Sequence, residues 1–174
     1  MRKESGFTLI ELMVTISVLA ILVSVGIPSM QSFVMNNRRA AAVNAFVTDV
    51  QLARSTAASG GANTVLCHSS NGTACSGETN ANWAEGWLLF EDIDKNETLD
   101  ATNERLLSGQ AARMGVTMSS NRGSFTFRPG FRAATAGTIA VCVSGADNDR
   151  WIVISPTGRP RTQSTPDNPS CPGS

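Results

Sequence analysis

The sequence has no tyrosine, one histidine and few aromatic residues of any kind. It has no Cys-x-x-Cys pair, no Gly-rich phosphate loop, no internal repeat and no low-complexity tract. Each shortage removes a class of function. With His68 alone and no nucleophile motif, there is too little from which to build a catalytic site. Without tyrosine, stacking of nucleic-acid bases would contribute little. The four cysteines, Cys67, Cys75, Cys142 and Cys171, lack metal-site spacing. His68 directly follows Cys67, and neighbours on a strand point to opposite faces, so they chelate poorly. We therefore expect no cofactor, no metal and no enzyme. An even cysteine count instead suits disulfides in an oxidising compartment.

What is present is unevenly distributed. At 174 residues the chain can hold one core-forming domain plus an appendage. Much of the apolar content falls between Phe7 and Met30, which as a helix at about 1.5 Å per residue would span roughly 36 Å, enough to cross a bilayer. Arg2 and Lys3 place its start in the cytoplasm. The apolar run is too long for an ordinary secretory signal, and it continues into further helix. Net charge is zero, but the signs are separated. From Cys75 to Glu104 there are eight acids against Lys95 alone; from Arg105 onward there are eight arginines, no lysine and three aspartates. The two regions either face different partners or pair with each other.

Glu11 stands inside the apolar segment. A carboxylate there is costly unless it is paired, so it is either an interfacial helix-start acid or the partner of a charge supplied by another subunit. The run Gly6-Phe7-Thr8-Leu9-Ile10-Glu11-Leu12 resembles the type IV prepilin signature. That resemblance implies cleavage between Gly6 and Phe7 by a prepilin peptidase and N-methylation of the new Phe7 amine. It also implies that Glu11 meets the terminal amine of a neighbouring subunit. An amine and a carboxylate attract strongly in low dielectric, which leaves neither unpaired. Pro28 is expected to kink or locally unwind the helix.

From Gln31 the helix turns amphipathic, with Val43, Phe46, Val47, Val50, Ala53 and Ala57 forming a core stripe, and Gly60-Gly61 stops it. Beyond it, strands are expected at 64–68, 86–91, 116–119, 124–128, 138–144 and 151–155. Residues 145–149 join the last two as a hairpin loop. The proline-rich tail from Thr157 reads as irregular. The fold expected is α+β, a long N-terminal helix packed on an antiparallel sheet. Its parts are a leader (1–6), a transmembrane helix (7–30), an amphipathic half-helix (31–60) and a β-rich periplasmic head (61–174).

The head extends the resemblance. Trp87-Leu-Leu-Phe90-Glu-Asp92-Ile-Asp94-Lys-Asn96-Glu-Thr-Leu-Asp100, then Glu104-Arg-Leu-Leu107, resembles the strand-loop-strand of GspH/FimT minor pilins and pseudopilins. So does Ile154-Ser-Pro-Thr-Gly158-Arg159. The resemblance covers nearly the whole chain. With local pairing, it favours Cys67–Cys75 and Cys142–Cys171 among the three connectivities four cysteines allow. It implies other pilin or pseudopilin subunits, the prepilin peptidase and the inner membrane as partners.

Two motifs carry possible chemistry. Asp92-x-Asp94-x-Asn96-x-Thr98-x-Asp100 has the alternating oxygens of a calcium loop, but Glu97 replaces the glycine and Asn103 the bidentate glutamate, which favours a solvated acidic hairpin loop. Gly158-Arg159-Pro160-Arg161 resembles the Gly-Arg-x-Arg element of FimT-type minor pilins, which bind DNA during natural transformation. It implies double-stranded DNA as a partner, with Gly158, Arg159 and Arg161 at the centre and Arg150 and Arg132 flanking. The competing reading is a turn with a structural salt bridge. Two functions stand open: a DNA-binding minor pilin of a type IV pilus, or a minor pseudopilin that primes or caps a type II secretion filament.

Overall fold

The computed structural model describes residues 7–131, 133–143, 149–164 and 171. Helix α1 runs unbroken from Leu9 to Gly60, 52 residues. Thr8 caps its start by accepting the Glu11 N–H, and Gly61 ends it in the left-handed conformation (φ 75°). Pro28 lies inside this continuous helix, so the expected unwinding does not occur. The proline removes one backbone donor, and the intact turns on either side hold the helix through it.

The two halves of α1 have different surroundings. Phe7, Leu9, Ile10, Leu12 and the apolar residues through Phe33 are all exposed, whichever way they face. From Arg39 onward one stripe is buried: Arg39, Ala42, Val43, Phe46, Asp49, Val50, Ala53 and Ala57. Phe46 is its centre, meeting Trp83, Trp87 and Phe125 edge to face at centroid distances of 5.7, 5.5 and 6.3 Å. Asp49 is buried as well and accepts the Trp87 Nε1–H at 2.7 Å, which satisfies the indole inside the core.

The described residues of the head form eight strands: β1 (Asn63–His68), β2 (Gly86–Asp92), β3 (Leu106–Ala111), β4 (Thr117–Ser120), β5 (Ser124–Phe127), β6 (Gly137–Cys142), β7 (Arg150–Ile154) and β8 (Pro160–Gln163). They form two antiparallel four-stranded sheets, ordered β3-β2-β1-β5 and β4-β6-β7-β8. Isolated bridges tie Asn82 to Ser119 of β4 and Ala134 to Phe127 of β5. Alternation along the strands sorts the core. Leu66, Trp87, Leu89, Ile139, Val141, Ile152 and Ile154 face the helix in one cluster.

The opposite faces are covered too, and by disulfides. Val65, Cys67, Leu88 and Phe90 form a second cluster, closed over by Cys75 and Leu99. Ala140, Cys142, Trp151 and Cys171 form a third. Cys67 bonds Cys75 and Cys142 bonds Cys171, with Cα separations of 5.6 and 5.7 Å. The tail corrects one expectation. Residues 160–163 are not irregular but form β8, an edge strand, where a proline without an N–H is tolerated. The loop at 145–149 lies, except for Asp149, outside the described residues.

Candidate functional site

The Gly-Arg element is the hairpin between β7 and β8. The Gly158 N–H donates to the Ser155 carbonyl at 2.8 Å, and the Ser155 N–H donates to the Arg159 carbonyl at 3.1 Å. This closes a three-residue loop whose last position, Gly158, has φ 73°. A Cβ at Gly158 would lie 3.0 Å from Phe127 Cδ1 and 3.3 Å from the Ala134 Cβ. Left-handed backbone and close packing thus both require glycine there. Arg54 on α1 donates its Nε–H to the Thr157 carbonyl at 3.2 Å, and the Ala134 N–H donates to the Pro156 carbonyl at 2.7 Å. The turn is therefore fastened to both the helix and the connection after β5.

Arg159 and Arg161 stand on this anchored hairpin, and both are exposed. Among the described residues neither guanidinium has a hydrogen-bond or ion-pair partner. Arg161 is paired with Val153, which is paired with Thr138, so alternation places all three on the outer face of the sheet. Arg150 is not part of this group. It alternates with Ile152 and Ile154 toward the helix, and it lies about 10 Å along β7 from Val153. Its charge acts instead on buried Arg39, whose guanidinium is held below its ordinary pKa by burial and then by Arg150, with Asp149 opposing. Arg132 lies outside the described residues. Sequence spacing did not reveal that Arg54 fastens the turn, nor that exposed Arg128 follows Phe127 beside it.

Among the described residues, Arg105 of the basic segment grips Glu91 of the acidic one with two hydrogen bonds of 3.1 and 2.7 Å. Glu97 spends its charge differently, accepting from Ser124 Oγ at 2.9 Å and Thr126 Oγ1 at 2.7 Å. Burial pushes the Asp92 carboxyl above its usual range, partly offset by the Asn96 N–H. His68 is buried beneath Trp83, with Nδ1 2.7 Å from Ser76 Oγ and Nε2 3.7 Å from Glu85.

At the other end of the molecule Phe7 is 83% exposed and Glu11 lies in the first turn of α1. Gly6 is outside the described residues. The helix from Leu9 is long and apolar enough to cross a membrane, and its most apolar window is not buried against the head.

Residues 42–158 match the family described as type II transport protein GspH, and residues 1–27 match the prokaryotic N-terminal methylation motif. The fold is similar to that of type IV minor pilin FimU from Pseudomonas aeruginosa (strain PAO1) in two crystal forms. One has 20% identity and a TM-score of 0.56, covering 75% of this chain and 98% of that one. The other has 21% identity and a TM-score of 0.56, covering 82% and 98%. At such identity the likeness is one of fold. No curated protein sequence matches the chain significantly.

Proposed function

The chain belongs to the GspH family and carries its methylation motif, and from that premise we propose that it is a minor pilin whose head binds double-stranded DNA without sequence preference. In this reading residues 1–6 are a leader removed by the prepilin peptidase, and Phe7 becomes the methylated terminus. Residues 7–30 anchor the subunit in the inner membrane before assembly, residues 31–60 carry the head on the filament, and residues 61–174 are periplasmic. Glu11 pairs with the terminal amine of a neighbouring subunit, which offsets the cost of a carboxylate among apolar helices.

One observation carries the DNA reading. Arg159 and Arg161 are exposed on a hairpin fixed to the fold, and neither side chain is engaged by a described residue. Paired guanidinium groups on a rigid support can bridge phosphate oxygens, and clustered cations release the condensed counterions of a duplex. A patch this small binds weakly, at roughly micromolar affinity or poorer in physiological salt. Repeated subunits along a filament would add avidity.

A second reading is favoured by Gly158. Its packing on Phe127 and Ala134 accounts for the glycine by the fold alone, as a purely structural pseudopilin of a type II secretion filament would require. Titration of the detergent-solubilised full chain with labelled duplex at two salt concentrations separates the two. The DNA-binding reading expects binding that weakens steeply with salt and nearly vanishes in the Arg159→Gln/Arg161→Gln variant. No binding at low salt, or equal binding by the double variant, leaves the structural role.

A further inference from the structure

The loop between β2 and β3 carries a cluster that neither reading uses. Asp92 ends β2 with 1% of its surface exposed. Its Oδ1 accepts the Asn96 N–H at 3.1 Å, while its Oδ2 is buried with no partner among the described residues. A buried carboxylate oxygen without a partner is expensive. Asp94 and Glu104 each bring a carboxylate oxygen near the Asp92 carboxyl, with one oxygen from each of the three residues within 4.8 Å of the others. Three carboxylates so close repel unless a cation sits among them. Oxygens on opposite sides of a calcium ion, at 2.3–2.6 Å each, would be about 5 Å apart, so three oxygens within 4.8 Å of one another can share one ion.

The loop is built around that cluster. Glu104, 9% exposed, accepts the Ile93 N–H through Oε1 and the Asp100 N–H through Oε2, both at 2.9 Å. It thereby spans the loop from end to end. Asp94 accepts from Asn96 through both of its oxygens, at 3.2 and 2.7 Å. The two departures that count against calcium in the sequence are both compensated. Glu97 adopts the left-handed conformation (φ 58°) that glycine supplies in a calcium loop, and its carboxylate is tied to Ser124 and Thr126 on β5. The buried glutamate is Glu104, one residue beyond the position Asn103 occupies in the pattern.

We propose that Asp92, Asp94 and Glu104 hold a calcium ion that satisfies the buried Asp92 Oδ2 and locks the β2–β3 loop. Every donor is a hard oxygen, which favours calcium or magnesium over softer metals. Three carboxylates spread over the segment from Asp92 to Glu104 suit the variable geometry of calcium better than the strict octahedron of magnesium.

The test is independent of DNA. The detergent-solubilised full chain is titrated with calcium chloride, and separately with magnesium chloride, after removal of metal with EDTA. Heat of binding and thermal unfolding are both read. One calcium should bind, with a dissociation constant of about 1 mM or tighter, the range of extracellular modules, and should raise the unfolding temperature. Magnesium should bind at least about tenfold more weakly. Asp94→Asn, at an exposed position, should weaken calcium binding at least about tenfold and shrink the calcium-induced rise in unfolding temperature. Glu104→Gln should also lose the calcium response. The proposal is overturned by the absence of heat and of a thermal shift at about 10 mM calcium, well above that range. Equal affinity for magnesium, or unaltered calcium binding by Asp94→Asn, overturns it as well.

Discussion

Gly158 shows how one residue can belong to both a fold and a motif. Its positive φ and the 3.0 Å approach of Phe127 leave no room for a side chain. Gly158→Ala should cost about 1–3 kcal/mol, measured by urea unfolding, because a left-handed alanine is strained and the Phe127 ring must move. Arg159 and Arg161 should be replaceable without loss of stability, since no described residue engages their side chains. Asp49 shows the opposite dependence. It is the acceptor for the buried Trp87 indole N–H, so Asp49→Ala leaves that donor orphaned and should cost about 1–3 kcal/mol in the same assay. The amphipathic stripe makes Phe46 and Val50 legible as core, but Asp49 is not among its residues. Periodicity weighs apolarity, whereas burial of Asp49 depends on a tryptophan 38 positions away.

At the scale of elements, the regular signals were read and the edges were not. Strands with continuous apolar runs, expected at 86–91 and 138–144 and found at 86–92 and 137–142, are visible as runs of branched and aromatic residues. β3 was implied only by the family resemblance around Leu107, because Ser108, Gly109 and Gln110 give a half-exposed edge strand no apolar alternation. β8 was hidden by Pro160, which signals irregularity in general and is harmless on an edge. The division of the strands between two sheets depends on which strands pair at long range, and local pattern does not encode that. Each disulfide closes the outer face of one sheet, and this sets their roles. Removing the Cys142–Cys171 bridge by paired serine substitution should uncover Ala140 and Trp151 and cost about 2–4 kcal/mol. Thermal unfolding with and without reductant measures it. A loss well under that range would mean that the tail stays docked without its crosslink.

At the scale of the molecule, the helix divides labour along its length: an apolar half whose residues are exposed, and a half that packs into the head's core. The separated charges do not cancel as two matched faces. Among the described residues Arg105 and Glu91 join the two segments by hydrogen bonds, while the acidic loop folds on its own carboxylates and the hairpin arginines stay exposed. Glu11→Ala should leave membrane insertion intact, since it removes a charge from an apolar segment, but reduce recovery of the subunit in sheared filaments. The central claim is that the chain is processed and built into a filament through its N-terminal helix. Mass spectrometry of the protein extracted from membranes of a strain with active prepilin peptidase tests it most directly. The expected terminus is N-methylated Phe7, with residues 1–6 gone; an intact Met1 terminus in that strain would contradict it.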